Sequence, residues 1–188
     1  MSSQRPSWVP SLEVEERAAD ATGLGTRRLS IARLPDHTDR LFRAAYALCG
    51  ARADAEDLVQ ETFARVLERP RFIRRGSDLA YLMRVLRNTW VDFHRARSAR
   101  PDTSGPPEAV EWVVDRAGDP GDVALDVQMA YDAMRDLSPP LREAVAAVDV
   151  LGLSYKDAAK ALQIRQGTLM SRLSRARERI AAALEGGS

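Results

Sequence analysis

The chain has 188 residues, with 28 Lys and Arg against 27 Asp and Glu, and aromatic residues make up only 6%. Its single cysteine, Cys49, excludes an internal disulfide, and the two distant histidines, His37 and His94, offer no metal-ligand spacing. No apolar run of membrane-spanning length and no signal-like segment stand out, so a soluble, cytoplasmic protein without membrane insertion is expected.

Much Ala, Leu and Arg with few aromatics favours helices, and the length suits one ordinary domain or two small ones. The net charge of +1 is uninformative, but its distribution is not. Residues 71–100 hold eight arginines against Asp78 and Asp92, a net of +6; residues 101–127 hold seven acids against Arg116, a net of −6. Such blocks do not belong to a uniform globule.

Residues 1–35 mix Pro, Ser, Gly and balanced charge and read as a loosely ordered extension, with a short helix from Ser11 to Ala21 that Gly23 and Gly25 stop. A first helical unit is expected over 36–97. Its first helix runs from Asp36 to Cys49, with Leu41, Ala45 and Leu48 inward and Gly50 as the stop. Asp54 is read as the cap of the second, whose buried stripe is Ala55, Leu58, Val59, Thr62, Phe63 and Val66. Asp57, Gln60, Glu61 and Arg65 fall off that stripe and face outward.

Pro70 ends this helix, and RFIRRGS reads as a basic loop with an exposed Phe72. The third helix spans roughly Asp78 to Arg97, with Leu82, Val85, Leu86, Thr89 and Phe93 on its core side. Tyr81, Arg84, Asn88 and Asp92 recur at steps of three and four on another face. Ring, guanidinium and amide groups in a row suit single-stranded nucleic acid, since bases stack on rings while arginines hold phosphates. Tyr81 and Trp90 as plain core aromatics account for the same spacing.

Residues 98–123, rich in Pro, Gly, Asp and Glu, read as an acidic flexible linker. A second helical unit is expected over 124–185. One helix runs from Val123 to Leu137 with Leu125, Met129, Ala133 and Met134 inward. Ser138 and Pro139 start the next, with Leu141, Val145 and Val148 inward and Gly152 closing it. Ser154, with Asp157 three residues on, starts a short helix whose inner face is Ala158, Ala159 and Leu162, and Ile164 plugs the turn after it. On the last helix Leu169, Leu173, Ala176, Ile180 and Leu184 make one apolar stripe, while Thr168, Ser171, Arg172 and Arg175 line another side. Five arginines (165, 172, 175, 177 and 179) against Glu178 give +4 there. A short helix braced on a basic one is the helix-turn-helix plan for the major groove. A structural hairpin with a solvated face has the same periodicity, and Arg177 and Arg179 also suit the negative end of the helix dipole.

The order of these parts resembles the extracytoplasmic-function sigma factors of the sigma-70 family. DAEDLVQETFARVL resembles their region 2.2, YLMRVLRNTWVDFHR regions 2.3 and 2.4, and LSPPLREAVAAVDVLGLSYKDAAKAL followed by GTLMSRLSRARERI region 4. The resemblance covers roughly 37–97 and 124–184. It implies an all-α fold, a region 2-like unit and a region 4-like helix-turn-helix unit, and a non-enzymatic role: binding core RNA polymerase, recognising promoters and aiding strand opening. By the same resemblance Asp57, Gln60 and Glu61 dock on the clamp helices of the beta-prime subunit. Arg65, Phe72, Tyr81, Arg84, Asn88 and Asp92 contact the minus-10 element, and Thr168, Ser171, Arg172, Ser174 and Arg175 read the minus-35 element. The implied partners are core polymerase (the beta-prime clamp helices and the beta subunit), promoter DNA and an anti-sigma factor, with no cofactor.

Departures from the family pattern are Tyr81 where Trp is frequent, Met170 where Lys or Arg is common, Ser174 where an aromatic or His is common, and Gln163 where the turn usually has Gly. The competing reading is a stand-alone helix-turn-helix regulator of duplex DNA, which has no use for an exposed acidic face at Asp57, Gln60 and Glu61. No nucleophile–base pair, phosphate-binding glycine loop or metal constellation supports an enzyme, so none is expected.

Overall fold

The computed structural model describes residues 26–29, 31–68, 72–74, 78–98 and 120–186. The expected helix at 11–21, most of the acidic linker and the side chains of Phe72 and Leu125 lie outside that description. Strand β1 (Thr26–Arg28) pairs antiparallel with β2 (Phe72–Arg74) in the register Thr26 to Arg74, Arg27 to Ile73 and Arg28 to Phe72. Both strands replace expected irregular structure: β1 lies in the segment read as a loose extension, β2 in the segment read as a loop. Three residues are too few for a period of two to register, and the partner is far away in sequence. Leu29 and Leu34 then enter the core, so the chain is anchored before the first long helix.

Helices α1 (Thr38–Cys49), α2 (Arg52–Glu68) and α3 (Asp78–Ser98) form the first unit. Leu41, Ala45 and Leu48 are buried as the periodicity requires, and so are Ala55, Leu58, Val59, Thr62 and Val66. Phe63 and Val85 are partly buried against the same core. The buried hydroxyls of Thr62 and Thr89 donate to the Leu58 and Val85 carbonyls at 2.7 and 2.9 Å, so neither leaves an unmatched polar group. Two expectations fail here. Helix α2 begins at Arg52, so Asp54 lies in its first turn rather than capping it, where its charge suits the positive helix end. Phe93 is 43% exposed, because the apolar stripe of α3 runs on past the end of the core it packs against. Trp90, by contrast, is buried and meets the His94 ring edge-on.

The second unit comprises α4 (Pro120–Arg135), α5 (Pro139–Val145) running into a π-helical turn (Ala146–Val150), α6 (Tyr155–Ala161) and α7 (Gln166–Gly186). Ser138 stands at the start of α5 with extended backbone, but its hydroxyl makes no capping bond; Pro139 fixes the turn instead. Ser154 does cap α6, accepting from the Asp157 N–H at 3.1 Å while its hydroxyl donates to the Asp157 carboxylate at 2.8 Å.

The two units pack on each other: α1 lies against α4, α5 and the π turn, and α3 against α6. Each unit sends arginines to the other. Arg142 of α5 donates to the Leu48 carbonyl at 2.9 Å, satisfying one of the unpaired carbonyls at the end of α1, and Arg40 of α1 donates to the Leu151 carbonyl after the π turn. The two helix-stop glycines sit beneath arginine side chains, Gly50 beneath Arg135 of α4 and Gly152 beneath Arg40. Gly50 (φ +75°) would bring a Cβ to 3.0 Å from Arg135, and Gly152 (φ +74°) to 3.2 Å from Arg40. A left-handed turn and a close crossing therefore exclude a side chain at both positions. Tyr46 and Tyr131 meet edge to face at 5.2 Å, and burial pushes the Tyr131 phenol up to about 12.

The most costly group in this interface is Glu143, a buried carboxylate whose partner is Arg87 of α3 at 3.1 Å. Removing one partner of a buried pair leaves the other charge unanswered. Arg87→Ala is therefore expected to lower unfolding stability by about 2–3 kcal/mol, measured as a shift in the urea midpoint with little change in slope.

Candidate nucleic-acid and partner interface

The helix-turn-helix is built by α6 and α7. Helix α6 ends in two crossing bonds: the Gln163 N–H donates to Lys160 at 3.2 Å and the Ile164 N–H to Ala159 at 3.0 Å. This pattern needs a left-handed residue, and Gln163 adopts φ 57°, the only non-glycine among the described residues to do so. Ile164 packs partly buried against the core. Leu169, Leu173 and Ala176 are buried and Ile180 and Leu184 half-buried, so the predicted apolar stripe seats α7 on α4, α5 and α6. Each fully buried leucine contributes about 1.5–3 kcal/mol, enough to fix which side of the helix faces water.

That fixed seat turns Thr168, Ser171, Ser174 and Arg175 outward as exposed side chains, with Arg172 half-buried beside them. Ser174 donates to Glu178 at 2.9 Å, and Met170 is 52% exposed in the same row. Arg177 does not serve the helix end. Its guanidinium holds Asp149 with two bonds, at 3.1 and 2.6 Å, and this pairing raises its pKa. It braces α7 on the π turn, leaving Arg165, Arg172, Arg175 and Arg179 as the cations of the face.

A second polar face lies on the first unit. Asp57 and Gln60 are exposed on α2 and Glu61 half-exposed. On α3, Tyr81 and Arg84 are half-buried, and the Arg84 guanidinium lies 5.3 Å from the Tyr81 ring centroid. This cation–π contact holds ring and cation together as a platform. Asn88 and Asp92 are exposed further along the helix, and the Asn88 amide oxygen accepts from Arg87 at 3.4 Å. Arg65 joins α2 to α3: it donates to Glu61 at 2.8 Å and to Asp92 at 2.9 Å, and these bonds, Asp92 first, raise its pKa. Phe72 is in β2, paired with Arg28 rather than in a loop.

Among the described residues no three His, Cys, Asp or Glu side chains converge as metal ligands would, and no helix is long and apolar enough to cross a membrane. Arginines 40, 87 and 142 join the two units and Arg177 braces the second, all binding groups distant in sequence. Their partners, two backbone carbonyls and two acids, carry no periodic signal.

Comparison with known proteins places these faces in a context. Residues 36–100 match Sigma-70 region 2 and residues 128–180 match Sigma-70 region 4. The chain is 35% identical over 179 residues to the ECF RNA polymerase sigma factor SigE of Mycolicibacterium smegmatis, covering 92% of this chain and 69% of that protein. It is 34% identical to EcfG of Rhodopseudomonas palustris, over 74% of this chain and 76% of the relative. Among solved structures it is similar to the sigma factor RpoE of Bartonella quintana in complex with the anti-sigma factor NepR, with TM-score 0.66, 29% identity, and coverage of 82% of this chain and 95% of RpoE. CnrH, solved with the cytosolic domain of CnrY, shares the fold at TM-score 0.61 and 22% identity over 84% of this chain and 88% of CnrH.

Because a left-handed glutamine is strained where glycine is not, Gln163→Gly is expected to raise stability by about 0.5–1 kcal/mol in thermal unfolding. DNA binding by α7 should be unchanged.

Proposed function

The chain belongs to the extracytoplasmic-function sigma factors of the sigma-70 family, which direct RNA polymerase to promoters, and we propose that its exposed polar faces divide that task. Asp57, Gln60 and Glu61 dock on the clamp helices of the beta-prime subunit, an acidic surface meeting a basic one, while the region 4-like unit meets the beta subunit. Tyr81, Arg84, Asn88 and Asp92, with Arg65 and Phe72, bind the minus-10 element as a melted strand. There an extruded base costs a few kcal/mol, which stacking and hydrogen bonds must offset. Thr168, Ser171, Arg172, Ser174 and Arg175 enter the major groove of the minus-35 element, where arginine pairs with guanine edges or holds phosphate.

The observation that carries this reading is the pairing of a helix-turn-helix on one unit with an aromatic–cation platform on the other. A regulator that only reads duplex DNA needs the first and has no use for the second. The protein works in the cytoplasm, beside polymerase, and an anti-sigma factor restrains it. That partner is argued from RpoE, which is held by NepR and shares the fold over most of its length.

Run-off transcription with purified core polymerase on a library of genomic fragments is the direct test. Transcripts should start downstream of sites sharing two sequence blocks; no transcript from any fragment would overturn the proposal. Arg175→Ala should cut transcription from those sites by about tenfold or more, consistent with losing one base or phosphate contact worth ~1–3 kcal/mol. Its affinity for core polymerase should not change.

A further inference from the structure

We propose that Arg65 couples polymerase docking to single-strand binding: held between Glu61 of the docking face and Asp92 of the DNA face, it becomes a phosphate-binding cation when polymerase engages Glu61. This rests on the division of surfaces proposed above and adds to it a link between two of them.

The geometry is a shared fork. Arg65 Nε donates to the Glu61 carboxylate at 2.8 Å and Nη1 to the Asp92 carboxylate at 2.9 Å. Glu61 lies four residues before Arg65 on α2, whereas Asp92 comes from α3. One guanidinium between two carboxylates leaves the cluster at a net charge of −1. In the free chain an anion therefore stands where a DNA phosphate has to approach, although the residue with the longest reach there is an arginine.

Solvent access makes the arrangement reversible. Side-chain exposures are 38% for Arg65, 44% for Glu61 and 58% for Asp92, so both ion pairs stand in water, where such pairs are weak and exchange readily. When a basic surface takes Glu61, the remaining Arg65–Asp92 pair is neutral and Nε is released toward a phosphate oxygen. The converse holds by linkage: a strand that recruits Arg65 frees Glu61 for polymerase. Arg84 cannot play this part, because it is placed over the Tyr81 ring and no carboxylate of the docking face holds it.

Helix α2 supplies an internal control. Arg52 and Glu56 form an ion pair with the same four-residue separation and the same 2.8 Å distance, but at the other end of the helix. Glu61→Gln and Glu56→Gln thus remove the same charge from pairs of the same spacing and distance, in opposite order along the helix, and only one of them includes the shared guanidinium.

The test measures binding of a short fluorescein-labelled single-stranded oligonucleotide of random sequence to the full chain, by anisotropy at one fixed salt concentration. Glu61→Gln, which imitates neutralisation by polymerase, should tighten binding about fourfold, the effect of one charge a few ångström away in water. Glu56→Gln should change it far less, and in an Arg65→Gln background Glu61→Gln should give no gain. The same oligonucleotide should tighten binding of the unaltered chain to core polymerase, and this effect should vanish in Arg65→Gln. Equal effects of the two glutamate substitutions, or a gain that persists without Arg65, would overturn the coupling. A chain that binds core polymerase yet shows no such difference loses only this inference; a chain that does not bind core at all loses the functional proposal. Both glutamates are surface groups, so melting temperatures should be unchanged, which separates the effect from loss of a staple between α2 and α3.

Discussion

A carboxylate cut off from water sets the terms for this molecule. Glu143 lies in the seam between the two helical units, and the charge that answers it, Arg87, belongs to the other unit. Neither half can bury its share of that seam alone without leaving an ionised group unmatched or drawing in water. The rest of the seam obeys the same logic in weaker form. Arg142 completes the last turn of α1, Arg40 reaches the carbonyl after the π turn, and two glycines keep the crossings open. Burial lowers the Arg142 pKa, the cost of placing a cation where backbone oxygens are its main company. Apolar area gives the seam its strength, while these polar contacts decide which way the halves face.

What holds the halves together also leaves their outer surfaces free. The apolar stripe of α7 is spent on α4, α5 and α6, so Thr168, Ser171, Ser174 and Arg175 are left exposed. The stripe of α3 is spent on its own unit and on α6, which leaves the Tyr81–Arg84 platform at the edge. Each recognition surface is thus the remainder of a packing problem solved on the other side of the same helix. Membership of the sigma family gives these remainders their meaning, but their position follows from the period of 3.6.

That dependence explains what could be read in advance. The helices of the two units, with starts displaced by two or three residues at Thr38, Arg52 and Pro120, come from local spacing, as do the buried leucines of α1, α2 and α7, the glycine stops and the cap at Ser154. The left-handed turn at Gln163 is hinted at only by resemblance, since the family usually has Gly at that position. Contacts between distant residues were not legible. Nothing near Arg27 announces Ile73 as its strand partner, nothing in the arginine-rich tail of α7 singles out Arg177 for Asp149, and Glu143 has the local setting of any surface glutamate. Phe93 shows the opposite error: its spacing is right for the core, but the core stops short of it. Spacing groups Tyr81, Arg84, Asn88 and Asp92 on one face and Thr168, Ser171, Arg172 and Arg175 on another, resemblance gives them roles, and neither pairs Arg65 with Asp92 on a different helix.

The seam has a consequence for reach. The minus-10 and minus-35 elements lie about 25 base pairs apart, roughly 85 Å along a B-form duplex. A folded body of this length is only about 40 Å across. Packed as it is, the chain spans less than half that distance. On the division of surfaces proposed above, holding both elements at once requires Glu143 to part from Arg87.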